Sequence, residues 1–358
     1  MLPYYIMVLL PFLFSIVQFE SQARQMISKK KNWPLLIFFT LYFLLLALRA
    51  VEIGADTFRY VEIYELVNVT DWADLANVRG SEMGYSILTK LCSMIWDDPQ
   101  FFLAVVALVT TVPIMILYFQ ESENSMVSMV LFITFPVFMM NFSGLRQGVA
   151  ISIGVLAYYM TKKKRLIPFI LAVLLAMSFH VSAFILFLMY PLYHLRFRKA
   201  HMVLVLPLYL TVYLLNDQIF RLVVPLLGGD YAEHVDRMTD TGAYTMIILI
   251  ALFLLYSFIA PEEKEMDETS LGLRNLILCA LALQLFVPLN QVAMRLNYYY
   301  ILFVPLLIPR ITNRFERVSP FIRNVINIVM VAFFGVYFFI KAANTDSLNI
   351  YPYIFFWQ

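Results

Sequence analysis

Apolar residues in this chain neither alternate with a period of two nor form narrow helical stripes. They come in long, nearly unbroken runs separated by short polar or basic islands. A helix crosses the hydrocarbon core of a bilayer with roughly 17–25 apolar residues. Runs of that kind lie near 2–19, 34–50, 100–119, 126–140, 142–160, 202–215, 244–260, 271–289, 296–309 and 324–341. The first, from Met1 to Phe19, lacks a basic start and a small-residue cleavage site, and is read as a retained span. No Gly/Ser-rich linker and no internal repeat divides the sequence, so the expectation is one all-α polytopic membrane domain over 1–358.

Basic islands orient such a bundle, because Lys and Arg stay on the cytoplasmic side. They are Arg24-Lys29-Lys30-Lys31, Lys162-Lys163-Lys164-Arg165, Arg196-Arg198-Lys199 and Arg310-Arg314-Arg317-Arg323. Placing them inside puts both termini outside, with outer loops near 50–99 and 216–243. Within the first loop, the short apolar stretch 83–98 is read as a helix lying at the outer surface or dipping partway in. The stretch 166–195 sits between two basic islands, so both of its ends belong inside. It is too short for two comfortable spans at about 1.5 Å per residue. Two short helices meeting near Ser178-Phe179-His180 satisfy the charges, whereas one long helix would carry the later basic islands outside. The count is then about twelve crossings.

Composition agrees with this pattern. Apolar residues make up 62% and charged residues 14%, against roughly 45–50% and about 25% in soluble domains. The net charge of +2 leaves no footprint for nucleic acid. Cys92 and Cys279 stand alone in apolar stretches, without metal or redox spacing. No Walker, zinc or GxSxG signature is present, so neither a metal nor a cofactor is expected.

Ionisable residues beside hydrocarbon are costly and mark candidate sites. Outside the basic islands these are Arg49, Asp56, Arg59, Glu82, Arg146, His180 and Arg295, with Arg221 and Arg237 in the second outer loop. Arg146 lies in the polar island Asn141-Phe142-Ser143-Gly144-Leu145-Arg146-Gln147-Gly148, where a helix end offers N–H groups to an anion. The plainer reading, an arginine snorkelling to headgroups, leaves Gln147, Asn141 and Ser143 unexplained. The same plain reading competes for Arg49, which follows a run of leucines, and a tyrosine belt competes for Arg295 beside Tyr298 and Tyr299. His180 stands where the chain must turn, as a packing residue or as a group that titrates near neutral pH. Asp56 and Glu82 each belong to a short Gly- and Tyr-containing motif, and helix capping is their ordinary alternative.

Taken together, these islands resemble the EpsG/Wzy-like family of bacterial exopolysaccharide and O-antigen polymerases. The matching pieces are Arg49 with Gly54-x-Asp56-Thr57-x-x-Tyr60, Glu82-x-Gly84-Tyr85, and the stretch from Phe142 to Ser152 around Ser143-Gly144-Leu145-Arg146-Gln147-Gly148. Phe179-His180-x-Ser182-Ala183 and Arg295-x-x-Tyr298-Tyr299 follow in the same order. The resemblance implies a glycosyltransferase of the bacterial cytoplasmic (inner) membrane, independent of metal and nucleotide. Its implied substrates are undecaprenyl-pyrophosphate-linked glycans at the outer leaflet; its implied partners are membrane lipids and a chain-length regulator. The roles that follow are His180, then Asp56, as general base, and Arg146, Arg295 and Arg49 on the pyrophosphate. Glu82 and Gln147 join them as substrate contacts, and Tyr298 and Tyr299 as stacking surfaces for sugar rings. A flippase of lipid-linked glycans is the main rival, with a histidine-based membrane acyltransferase behind it.

Overall fold

The computed structural model describes residues 2–23, 32–78, 82–223, 243–261, 266–344 and 348–358. The basic island Arg24 to Lys31, Arg237 and most of the expected outer loop 216–243 lie outside the described residues. The described chain is helical, and its one β-bridge pairs Arg49 with Phe355. Its contacts divide it into two compact units, Met1–Phe184 with Ser319–Gln358, and Ile185–Val318.

The first unit contains α1 (Leu2–Ala23), α2 (Trp33–Ala47), α3 (Thr57–Val69), α4 (Met83–Ile95), α5 (Pro99–Glu121), α6 (Ser125–Thr134), α7 (Pro136–Ser143), α8 (Leu145–Lys162) and α9 (Leu166–Phe179). Helix starts follow local chemistry. The Asp98 side chain accepts the Gln100 N–H at 2.7 Å and Pro99 opens α5. Asn124 accepts the N–H groups of Met126 and Val127 at the start of α6. Aromatic rings fill the core: Phe39, Tyr42, Tyr118, Phe132, Phe138 and Phe142 pack mostly edge to face. Tyr42 ties α2 to α7, donating to the Phe138 carbonyl at 2.8 Å and accepting from Asn141 at 3.0 Å.

The second unit contains α10 (Met189–His194), α11 (Met202–Leu214), α12 (Asn216–Val223), α13 (Tyr244–Ile259), α14 (Glu268–Gln284), α15 (Gln291–Ile301) and α16 (Val304–Asn313). Arg274, 1% exposed, lies 4.0 Å from the centre of the Phe258 ring and donates to the Phe197 carbonyl. Asp267 caps α14 through Ser270 and also pairs with Arg310 at 3.3 Å and Arg314 at 2.9 Å. Two arginines of the last basic island are thus held against an acid. The first unit closes with α17 (Pro320–Asn344) and a C-terminal strap, Leu348–Gln358.

The apolar runs are helices, but most are shorter or more broken than expected. Among the described residues, Pro99–Glu121 and Pro320–Lys341 are long and apolar enough to cross a membrane. Two further pairs qualify if each bent pair is one span: Ser125–Thr134 with Pro136–Ser143, bent by 55°, and Lys199–Leu214 with Asn216–Leu222, bent by 73°. Pro136 explains the first bend, because Phe135 before it is forced into extended backbone. The run near 296–309 divides at Leu302-Phe303, with Pro305 in the first turn of α16. The stretch 50–99 is not an irregular loop: it carries α3, a 3-10 turn at Trp72–Asn77, and α4.

α4 is turned inside out. Tyr85, Ser86, Thr89, Cys92 and Ser93 face the protein, whereas Met83, Ile87, Leu91, Met94 and Ile95 are exposed. A stripe of that kind suits lipid better than water, and about 20 Å of helix is too short to cross.

Candidate functional site

The site begins with a clasp between two motifs. Gly54 has φ +99°, and a Cβ there would lie 2.0 Å from the Phe142 carbonyl oxygen, so only glycine fits. The Thr57 hydroxyl donates to the Ile53 carbonyl at 2.7 Å and lies 3.3 Å from the same Phe142 oxygen. The Asp56 N–H donates to Ser143 Oγ at 3.2 Å, and the Ser143 hydroxyl donates to Asp56 Oδ2 at 3.3 Å. Gly54-x-Asp56-Thr57 therefore grips the end of α7, and Gly144 then starts α8 with Arg146 in its first turn. Gly54→Ala is expected to destabilise the protein by about 3 kcal/mol or more, read as a lower thermal midpoint in detergent; an unchanged midpoint would mean the clasp is not structural.

A second close approach brings in the partners of Arg146. A Cβ on Gly84 would lie 2.4 Å from Ser178 Oγ and 2.8 Å from the Ser178 carbonyl oxygen. The start of α4 is thereby pressed against the end of α9, where His180 follows Phe179 in extended backbone. Glu82 stands between the two. Its Oε2 accepts from Arg146 Nη1, and its Oε1 lies 3.4 Å from His180 Nδ1. The Arg146 guanidinium also sits 5.7 Å from the centre of the Tyr60 ring on α3. Tyr60, Tyr64, Tyr85, Phe102, Leu145 and Val149 form the buried cluster that holds α3, α4, α5 and α8 together behind these groups.

Side-chain exposures of 24% for Arg146, 23% for Glu82 and 13% for His180 leave all three reachable by a ligand. Burial pushes the Glu82 carboxyl up, but the His180 contact and the charge of Arg146 outweigh it and hold the group below its ordinary range. It therefore stays ionised at neutral pH. Capping does not account for either acid. Asp56 and Glu82 occupy the N-cap positions of α3 and α4, yet neither side chain bonds to its own helix.

The other expected site residues are distributed as follows. Asp56 is exposed and held by Ser143; Gln147 is buried on α8 beside Arg146. Arg49 does not snorkel: it is 1% exposed and donates from Nη1 to the Leu46 carbonyl at 2.6 Å. Arg295, Tyr298 and Tyr299 belong to α15 in the second unit. There Arg295 is exposed and Tyr298 half-buried, while Tyr299 is 2% exposed and packs in the core. Asn297 on the same helix donates to Gln284 at 2.8 Å and fixes α15 to α14.

Sequence reasoning passed over Tyr60 and Ser178 as site-building residues. The spacing of Tyr60 four residues after Asp56 carried a signal for the first. Ser178 entered the sequence reading only as part of the expected helix break, and its part in the fold is to let the Gly84 backbone come close.

Apolar helices of this kind, with an ion-paired cluster reachable from outside, define a helical membrane protein with a polar site. A model of the EpsG family matches residues 32–355, and the chain belongs to that family. Membership supports a polysaccharide-polymerase type of role. No curated protein and no solved structure matches the chain.

Proposed function

We propose that this protein is a glycosyltransferase that polymerises polysaccharide at the outer face of the bacterial cytoplasmic membrane, in a bundle of about twelve crossings. The donor is a glycan on undecaprenyl pyrophosphate, and the acceptor is a sugar hydroxyl of a second lipid-linked unit. The observation that carries this reading is one carboxylate, Glu82, shared between Arg146 and His180.

The chemistry follows from that sharing. With Nδ1 of His180 turned to Glu82, Nε2 is left as the acceptor for a proton. The attacking hydroxyl gives its proton to Nε2 while its oxygen bonds to the donor's anomeric carbon. The bond from that carbon to the phosphate oxygen breaks, and the pyrophosphate leaves with the electron pair. Negative charge grows on the leaving group, and the guanidinium of Arg146, held in place by Glu82, is suited to receive it. Asp56 is the second candidate for the base. Arg295 and Tyr298 are candidates for further diphosphate and sugar contacts, and Gln147 and Tyr299 are further candidates for substrate contact.

Glu82 is thus a positioning residue for two others. Glu82→Gln keeps its shape but removes the charge that orders His180 and Arg146. Elongation of a lipid-linked glycan is expected to fall about 100-fold, with the acid limb of its pH profile displaced. Unchanged rate and pH profile would show that the shared carboxylate plays no part in transfer.

A further inference from the structure

Helix α5 is a ruler for the depth of the site. Asp98 caps its start and Glu121 ends it, a length of about 34 Å, close to the roughly 30 Å hydrocarbon core of a bilayer. α8 runs beside it in the same direction, and two contacts fix their register. Ser152 Oγ donates to the Thr110 carbonyl at 2.6 Å, and Lys162 Nζ donates to Glu121 Oε1 at 2.5 Å. Counting back about six residues from Ser152 and from Thr110 sets Arg146 level with Ala104, about 8 Å inside the outer start of α5. The packing agrees, since Leu145 and Val149 share a cluster with Phe102, Leu103 and Val106. α9 repeats the measure: His180 lies about 22 Å along the helix from Arg165 in the basic turn.

α4 occupies the remaining depth. It begins at Glu82, level with Arg146 through their ion pair, and leads to Asp98 at the start of α5. It therefore climbs about 8 Å over a length of about 20 Å, the shallow slant of a helix set roughly 5–10 Å into a leaflet. Its outward row, Met83, Ile87, Leu91, Met94 and Ile95, is apolar. Lys90 turns away from that row and donates to the Val67 and Asn68 carbonyls at 3.3 and 2.8 Å. α3 packs on α4 through Tyr60 and Tyr85 and has the opposite character, exposing Arg59, Glu62 and Glu65. One helix of the pair suits acyl chains and the other suits water. The apolar surface continues onto α9, which meets α4 where Gly84 approaches Ser178 and which exposes Ile167, Leu171, Leu174 and Leu175. Met83 beside Glu82 and Val181 beside His180 are exposed too, so apolar side chains adjoin both groups at the surface.

We propose that Glu82, Arg146 and His180 lie below the headgroups of the outer leaflet, beside an α4 embedded in its acyl chains, and that a lipid-borne substrate reaches them sideways from the leaflet. The depth follows from helix register; the entry route rests on the proposed reading of the substrate. A lipid arriving this way keeps its chain among other chains while its head meets the cluster, so no apolar surface crosses water. At that depth the low dielectric also strengthens the pull of Arg146 on growing negative charge.

The test places a nitroxide at one cysteine, Ile87→Cys, Leu91→Cys or Glu62→Cys, in the full-length protein carrying Cys92→Ala and Cys279→Ala, reconstituted in liposomes. Oxygen concentrates among acyl chains and a nickel chelate stays in water. The ratio of oxygen to chelate relaxation is expected to be about tenfold higher at positions 87 and 91 than at 62. Equal ratios at the three positions would overturn the proposal. Leu91→Asp sets a charge on the embedded row and is expected to slow elongation of a lipid-linked unit about tenfold in liposomes, with the thermal midpoint in detergent unchanged. Wild-type elongation by that variant would overturn sideways entry. Relaxation needs no glycan transfer, so the two readings fail separately. Labels among acyl chains in a protein that never elongates a glycan keep the depth and lose the polymerase reading. Elongation with positions 87 and 91 open to the chelate keeps the polymerase and overturns the inference.

Discussion

Replacing His180 by glutamine is expected to slow glycan elongation by about 10²–10⁴-fold, the range a positioned general base supplies. The side chain is reachable at 13% exposure, and its Nδ1 faces Glu82 at 3.4 Å. It also occupies the one extended residue between α9 and the 3-10 turn that follows. Glutamine preserves hydrogen bonding and approximate volume but accepts no proton near neutral pH. The loss therefore falls on the rate constant, while carrier binding changes little. A rate within a few-fold of wild type would transfer the role to Asp56, and Asp56→Asn is the variant to make next.

Arg146→Lys is expected to cost about 10²–10³-fold in elongation, comparable to removing one donor aimed at developing charge. Lysine keeps the positive charge but loses the planar fork that grips Glu82 and a phosphate oxygen together. It also has no flat face to set 5.7 Å from the Tyr60 ring. Because Arg146 and Glu82 act through one contact, Arg146→Lys combined with Glu82→Gln should cost less than the two separate losses multiplied. Strict multiplicativity would show that the two residues work independently. The measurement is initial rate of glycan lengthening for the four proteins at equal folded concentration.

Much of the site was legible in the sequence because its motifs are polar islands between apolar runs. Gly54, Asp56, Glu82, Gly84, Arg146 and His180 each stood out by type and place. The folded chain adds the reason for the spacing: Gly54 and Gly84 are the two points where one motif touches the backbone of another. Pairing was not legible. A lone sequence did not say that Glu82 serves two cations, or that Asp56 turns to Ser143 instead. Nor did it distinguish a snorkelling Arg49 from a buried one, since its burial depends on Tyr353 in a strap about 300 residues away.

The helices were legible as apolar runs, and their breaks less so. Pro136 was visible in the sequence, but its 55° consequence depends on how α6 and α7 pack. α4 shows the same limit. Its composition is moderately apolar, and only the fold reveals that its small and polar residues face inward.

The central claim is that this site joins lipid-carried glycans. The most direct measurement gives the purified protein a single synthetic repeat unit on undecaprenyl pyrophosphate, without nucleotide sugar or added metal, and follows glycan length and carrier release together. The account predicts longer glycans, with one undecaprenyl pyrophosphate freed for each repeat added. Movement of the intact lipid-linked unit across a membrane, with no lengthening and no free carrier, would contradict it and identify a flippase.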